Sequence, residues 1–542
     1  MKICFKFLFL LLVYILNILP SNSMVSSIKW SKWDTKAFQK SQAEQKPILL
    51  YIEALNHNSH LMEEKTFSDK EIQRLINSHF ISVKVDSNAR PDLRNRFKRY
   101  ELPVIAVLTA NGVILAKRGG FVSKEEFFAD LSSLSHTKEP EVNRDFEESE
   151  AIPSEDSLLS TELRDQLFYN HYDVFDPEVG GLNRYYMSLD FNFIQFAILR
   201  AQKGFKEDRR IANKTIKNAQ ELIDPVWGGI YSYSTHGGWN FPSYDKSSDK
   251  QAEAIKSFSL AYKHFGEVDY IDSALKVHKY LSRFLKSPRG GFYTSQDSDI
   301  VKGEDGANYF MLNGYERRLL GVPEIDKNVY SNHNGLVIDS LVDLYRATDR
   351  KKYLHQAVIA ANWIIDNRAQ KNSIFDFALW VLSNPKRMVE RIKHLIYFKG
   401  LPEISFRHGE QKSDISFLSD TLNMGLGFIA LYKETHDKKW LIKAEQSLLF
   451  IIKTFQHPSG GYMTAQYKPQ NIYPNLIVRD VNENVNLVRL SCKLYSETKK
   501  TIYKNAASHA MKYLSSPDIA TNEIDPSGIL LAELKYIKAL NE

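Results

Sequence analysis

From residue 157 onward the chain copies itself, and that constrains its fold more than any single motif. Three short polar turns, Phe265-Gly266-Glu267-Val268-Asp269, Ala347-Thr348-Asp349-Arg350 and Thr435-His436-Asp437-Lys438, are near duplicates. Each separates two stretches with apolar residues at the helical period: 251–265 from 270–285, 336–345 from 353–365, and 422–432 from 440–455. The spacing predicts two more pairs, 193–201 with 209–222 and 485–495 with 503–514. A second mark follows several pairs: Gly180-Gly181-Leu182, Gly228-Gly229-Ile230-Tyr231, Gly290-Gly291-Phe292-Tyr293 and Gly460-Gly461-Tyr462. Glycines there permit a tight turn, and the residue after them heads back toward the centre. Repeated helical hairpins bury a face only against their neighbours. About six of them closing on themselves predict an (α/α)6 toroid, with short turns on one face and Gly-Gly loops around a cleft on the other.

The first part of the chain has a different rhythm. An apolar strand at 48–52 breaks at Asn56-His57-Asn58-Ser59-His60, and a helical pattern runs through 63–79. Strand 80–85, a charged helical stretch at 90–100, strand 102–108, an Asn111-Gly112 hairpin turn and a last helix at 124–134 follow. The order β-α-β-α-β-β-α is that of a thioredoxin fold, whose strand-to-helix junction carries C-x-x-C. Here the two thiol positions hold Asn56 and Ser59, which cannot carry out disulfide exchange. Leu102-Pro103 takes the place of that fold's cis-proline loop. The expected fold class is α+β multidomain: a signal peptide at 1–23, a thioredoxin-like α/β domain at 24–135, a polar linker at 136–156 and the all-α toroid at 157–542.

Lys2 and Lys6, the apolar run from Phe7 to Leu16, and then Pro20, Ser21 and Ser23 read as a secretory signal cleaved near Ser23, with an uncleaved anchor extending to Leu19 as the alternative, so the protein is expected to be exported, periplasmic or secreted. No later segment has the length to span a bilayer, and no stable membrane insertion is expected after cleavage. The formal charge is +6, with no Lys/Arg block interleaved with aromatics, which excludes nucleic acid as a partner. Of the 2 cysteines, Cys4 lies in the signal and Cys492 in a helical pattern. The mature chain therefore has no dithiol, and thiol-disulfide oxidoreductase chemistry is not expected.

Several motifs run through both parts: Lys46-Pro47, Met62-Glu63, Thr66-Phe67, Val85-Asp86 and Arg90-Pro91-Asp92, then Trp239 with Pro242 and Lys246, Gln296-Asp297, Asn334-Gly335-Leu336, and Phe417-Leu418 with Asp420. Jointly they resemble the two-domain family that joins a thioredoxin-like domain to a six-hairpin-glycosidase-like toroid, of the bacterial YyaL and spermatogenesis-associated protein 20 type. The resemblance covers nearly the whole mature chain. The family's C-H-x-C-H-V-M falls on Asn56 to Met62, keeping His57 and His60 and losing both cysteines. Its P-H-F-E-K falls on Pro242 to Lys246, with Ser243 in place of the histidine and Asp245 in place of the longer acid.

Glycosidic cleavage needs one carboxylic acid and one carboxylate. The resemblance and the loop positions put Asp245, with Asp297 or Asp420, in those catalytic roles. Asp299 and Lys246 are expected beside them, and Trp227, Tyr231, Trp239 and Tyr293 as platforms for sugar rings. A sugar epimerase on the same toroid would use histidine bases, with His236 and His333 near the right loops. Aspartates in such loops also cap helices and turns, and loop aromatics also pack walls. The thioredoxin-like cleft, formed by Asn56, His57, Ser59, His60 and Pro103, can bind an extended peptide through its backbone. An inactive scaffold holding a partner protein there is the competing expectation. His57 and His60, even with Glu53 or Glu63, lack a fixed third ligand, so no metal and no other cofactor is expected.

Overall fold

The structure, a computed structural model, describes residues 27–135, 154–371, 403–467 and 478–542. The expected signal peptide lies outside the described residues. So does the expected linker, apart from 154–156, where the Ser154 amide donates to the Lys512 carbonyl and Ser515 Oγ to the Asp156 carbonyl.

The first part runs α1 (Thr35–Glu44), β1 (Ile48–Glu53), α2 (His57–Leu61, continued by a π-helical turn, Met62–Thr66), α3 (Lys70–His79), β2 (Ile81–Asp86), α4 (Pro91–Arg96), β3 (Val104–Leu108), β4 (Ile114–Gly119) and α5 (Lys124–Ser135). The sheet order is β2-β1-β3-β4. β3 runs antiparallel to both its neighbours, with Ile48 of β1 opposite Leu108. Ile48 to Ile52 are all buried, as a continuous apolar run in a strand covered on both faces should be. α3 starts where the Asp69 side chain accepts from the amides of Glu71 and Ile72, and it turns Ile72 and Ile76 inward. Asn111-Gly112 makes the predicted turn with Gly112 at φ 79°, and the Leu102-Pro103 bond is cis.

The structure forms two compact units. One gathers the described residues up to Glu53, Asn58–Val85 and the stretch from Arg99 through α5. The other gathers Ala54–His57, Asp86–Lys98 and everything from residue 154.

In the second unit the long helices are α6 (Thr161–Asp173), α7 (Phe191–Gln202), α8 (Lys206–Ala219), α9 (Ser248–Phe265), α10 (Val268–Tyr280), α11 (Ser331–Thr348), α12 (Lys351–Arg368), α13 (Leu418–Thr435), α14 (Lys438–Phe455), α15 (Val481–Thr498), α16 (Thr501–Leu514) and α17 (Ser527–Asn541), with short helices at Ala307–Phe310, Gly314–Leu320 and Pro517–Ala520. α7, α9, α11, α13, α15 and α17 pack each on the next, and α17 returns to α7, so the inner ring closes. Five outer helices pair with the inner helix before them in sequence, and the sixth pair joins the two ends, α6 against α17. The (α/α)6 toroid expected from the repeats is present, with one continuous apolar core between the rings.

The two faces of the toroid are built differently. On the short-turn face α9, α11, α13 and α15 end alike: Gly266, Asp349, His436 and Lys499 take positive φ and donate their amides to the carbonyls of Tyr262, Tyr345, Tyr432 and Tyr495. Only one of the four is the glycine this conformation favours. On the opposite face, an amide side chain in the first turn of an inner helix clamps the residue after a Gly-Gly. Gln251 accepts from the Ile230 amide and donates to its carbonyl, and Asn334 does the same to Phe292, and Asn484 to Tyr462. Asn334 and Gly335 of the family motif thus hold the wall together: a Cβ on Gly335 would lie 2.4 Å from the Asn423 carbonyl carbon of α13. Among the described residues no helix is long and apolar enough to cross a membrane.

Candidate functional site at the Gly-Gly face

The inner helices begin at the Gly-Gly face, and there the first turns of α9 and α11 bring titratable groups together. A short ladder, β5 (Lys246–Ser247) with β6 (Ser295–Gln296) and β7 (Ile325–Asp326), leads into α9. Just before it, the Asp245 carboxyl accepts from the hydroxyls of Ser232 (2.5 Å) and Ser243 (2.6 Å). Burial pushes this carboxyl up to about 6, and the two hydroxyls offset only part of that. Four residues on, Asp249 moves the other way. Burial raises it, but the His333 imidazole and the Lys250 ammonium outweigh burial and hold it below the usual carboxylate range. The Asp249 side chain is 37% exposed, and its Oδ1 lies 3.9 Å from His333 Nδ1, which meets Ser248 Oγ at 3.0 Å. Asp245 feels the Asp249 charge, which adds to its upward shift. Two neighbouring carboxyls driven apart in this way are the arrangement that acid/base chemistry requires.

Beneath this pair lies an ionic floor. Asp224 Oδ2 accepts from Lys246 Nζ and from Arg317 Nη1, each at 2.7 Å, and all three side chains are fully buried. Lys246 also donates to the Gly228 carbonyl (3.0 Å), and Arg317 to the carbonyls of Leu312 and Phe310. Burial pulls Lys246 down to about 8 against the opposing pull of Asp224. The same burial would raise Asp224, but the two cations keep it low.

Three of the expected substrate-binding residues are thereby corrected. Lys246 is sealed in the floor, and Trp227 and Tyr231 are its walls: Arg317 stacks on Trp227 and Lys246 on Tyr231. Trp239, 3% exposed, turns its indole N–H to the carbonyls of Val179 and Gly180. Tyr293 packs half-buried on the core. Trp227 and Tyr231 flank the Gly228-Gly229 turn, and Trp239 packs on Gly181 of the preceding Gly-Gly turn.

The other expected acids are also placed by partners. Asp420, in the first turn of α13, accepts through Oδ1 from the Asn332 amide (3.1 Å) and faces His408 Nδ1 at 2.9 Å. His408 Nε2 meets the Asn88 carbonyl at 2.7 Å. Both ring nitrogens therefore face acceptors, an arrangement that favours the doubly protonated ring. Burial opposes that charge, yet Asp420 and the Asn88 carbonyl prevail and raise its pKa. The ring stacks on Tyr330 at 4.2 Å. Asp297 is wholly buried, its Oδ1 accepting from the Asp299 amide at 3.2 Å. Asp299 accepts from Ser298 Oγ and the Gly303 amide, and His57 Nδ1 lies 3.0 Å from its Oδ2. Asp297 and Asp420 thus serve as internal acceptors, whereas Asp245 is held by two hydroxyls beside the accessible Asp249.

The segment Asp86–Lys98 lies on this same face of its unit. Besides Asn88, its Lys98 pairs with Asp480 (3.1 Å) and Glu523 (3.3 Å), and its Asp92 accepts from Tyr467 Oη (2.6 Å). Glu483, at the start of α15, is raised well above its ordinary value by burial and by the charges of Asp480 and Asp420. His236 sits far out, against Tyr185 and Phe241. In the thioredoxin-like unit, Ser59 and His60 are buried, and the Ser59 carbonyl accepts from Tyr51 Oη at 3.3 Å. Glu53 and Glu63 both bind Lys84. Asn56 is buried as well. The sequence reading missed Asp224, Asp249, Arg317, His408 and Glu483. Asp249 alone had a local signal, its place four residues after Asp245.

Residues 20–112 match the family described as "Thioredox_DsbH: Protein of unknown function, DUF255". The chain is similar to spermatogenesis-associated protein 20 of Homo sapiens, 27% identical over 55% of this chain and 43% of the relative. It is also similar to uncharacterized protein B0495.5 of Caenorhabditis elegans, 22% identical over 52% and 43%. It therefore spans less than half the length of these curated relatives. Among solved structures, a D-mannose isomerase aligns with a TM-score of 0.48 at 14% identity, covering 70% of this chain and 98% of that one. Cellobiose 2-epimerase from Bacillus thermoamylovorans aligns at 0.46 and 12%, covering 65% and 86%. A glycoside hydrolase family 76 mannosidase from Bacteroides thetaiotaomicron aligns at 0.46 and 14%, covering 70% and 100%. The two-domain likeness read from the motifs holds.

Proposed function

We propose that this is an exported protein whose toroid binds a carbohydrate at the Gly-Gly face and acts on it by acid/base chemistry. The observation that carries the reading is the split pair: Asp245 raised to about 6 and Asp249 held low and accessible. Asp245 then donates a proton to a leaving oxygen, and Asp249 is the carboxylate that takes one up. His333 steadies Asp249, and the His408–Asp420 ion pair stands in the same wall. The thioredoxin-like unit takes no part in disulfide exchange on this reading. Cys492 is buried in α15 and its thiol is pushed up to about 12, so it is not a nucleophile.

The test is a panel of oligosaccharides offered to the purified protein, with binding and product formation both followed. Turnover that falls by about 10²–10⁴ in Asp245→Asn while ligand binding persists supports the proposal. Neither binding nor turnover on any member of the panel would refute it.

A second reading, a scaffold that holds a partner protein in the thioredoxin-like cleft, draws on one observation. Trp227, Tyr231 and Trp239, the aromatics a sugar would stack on, are buried. A protein captured by the wild type and by Asp245→Ala, but lost when residues 56–60 are replaced, would favour it.

A further inference from the structure

The inner helices carry a second cluster of charge, along the toroid axis, and its signs do not balance. On α9, Lys256 pairs with Asp339 of α11 and lies 4.0 Å from Asp343. Arg346 of α11 pairs with Asp343 (2.9 Å) and with Glu434 of α13 (2.6 Å). These three carboxylates are therefore taken. Three further cations have none: Arg489 and Lys493 on α15, and Lys535 on α17.

Arg489 is 8% exposed and is held only by neutral amide oxygens, those of Asn192 (2.7 Å), Gln195 (2.9 Å) and Asn486 (3.0 Å). Its Nε is buried with no hydrogen-bond partner. Lys493 and Lys535 have no hydrogen bond and no ion pair among the described residues, although each remains partly accessible. A buried cation without a counter-charge is costly, and three in one place repel one another. The short-turn end of the toroid carries a cavity of about 390 Å³, lined by Lys263, Tyr345, Arg346, Asp349 and Glu434, so one member of the cluster borders an opening.

We propose that this axial cluster is a binding site for a phosphate dianion, as the free ion or as the monoester group of a small ligand. Three unmatched cations fit a doubly charged oxyanion better than a single carboxylate, and the guanidinium supplies a fork that matches two phosphate oxygens. The crowding of positive charge shows in the two lysines. Burial, together with Arg489, Lys493 and Lys256, pulls Lys535 down to about 7. Burial and Lys256 pull Lys493 down to about 8, with Arg346 adding to the pull and Asp339 and Asp343 opposing it. An anion among them restores their protons, so binding at pH 8 takes up protons.

The experiment uses the full chain at constant ionic strength. Inorganic phosphate raised to 10 mM is expected to lift Tm by about 2 °C or more over matched sodium chloride. Calorimetry at pH 8 in two buffers of different ionisation enthalpy should show net proton uptake. A hexose phosphate monoester acting at tenfold lower concentration assigns the ester; an equal response assigns the free ion. The double variant Lys493→Met, Lys535→Met should keep or raise Tm without phosphate, because repulsion is removed, and should lose the phosphate response at least tenfold. A phosphate response no larger than that of sodium chloride, or one that survives in the double variant, overturns the proposal.

Discussion

The two ends of the toroid obey different rules. At the short-turn end one solution is used four times, an inner helix closed by a residue of positive φ whose amide returns to a tyrosine carbonyl. At the Gly-Gly end three loops share an amide clamp, but the charged side chains set around it differ from loop to loop. There Asp245 and Lys246, adjacent in sequence, face opposite fates: Asp245 turns to two hydroxyls, and Lys246 enters an ion triad with Asp224 and Arg317. Repetition carries the fold, and departure from repetition carries the charge chemistry. Within the irregular end, ordinary aspartates become different reagents. Two cations hold Asp224 below the usual carboxylate range, whereas two hydroxyls only partly offset the burial that pushes Asp245 up to about 6.

The sharpest break in that contrast is Asp224→Ala. It strands Lys246 and Arg317 as buried cations and is expected to cost about 3–5 kcal/mol in urea denaturation at pH 7. A cost below 1 kcal/mol would mean the floor is not ionic. Lys246→Met, which leaves the Asp224–Arg317 pair matched, should cost at least about 1 kcal/mol less than Asp224→Ala. It should also alter the pH response. A lysine whose folded pKa is near 8 penalises folding while charged, so the wild type gains stability as pH climbs from 8 toward 10.5, and the variant should not.

Next in size is Asp245→Asn. Asp245 is penalised once ionised, so the amide should raise stability at pH 7.5 by about 1–3 kcal/mol while removing activity. Destabilisation instead would show that the carboxylate is well solvated. Smallest is Lys499→Gly at the regular end. Glycine accepts the φ of 56° without strain, and thermal unfolding should show a gain of about 0.5–1 kcal/mol. A loss would mean that the exposed pair of Lys499 with Glu542 matters more than the backbone.

These differences also explain what the sequence made readable. Helices in a ring bury one stripe each, so the period of apolar residues exposed most of the pairs. The closing pair, α6 with α17, unites the two ends of the toroid segment, and no local pattern links residues so far apart. The fourth short turn, Thr498-Lys499-Lys500, was hidden because it lacks the aspartate that the other three share. At the site, Asp245 was found because it lies within a family motif. Asp224 and Arg317 lie 93 residues apart, and their pairing is set by the loop that brings them together. His408 sits in an irregular loop, where a histidine has no periodic context. Trp227, Tyr231 and Trp239 were read as platforms because aromatics near glycines commonly line clefts; the packing that buries them is not written in residue type.

The account rests most on the state of Asp245. The stability difference between Asp245→Asn and wild type, measured by chemical denaturation from pH 4.5 to 8, reads that state directly. A carboxyl raised to about 6 in the fold holds its proton where the unfolded chain has lost it, so wild-type stability falls relative to the variant as pH rises and then levels off. The expected variant advantage grows from pH 4.5 through pH 6 and is constant above about pH 7. A difference that stays flat, or that favours the wild type more as pH rises, would contradict it.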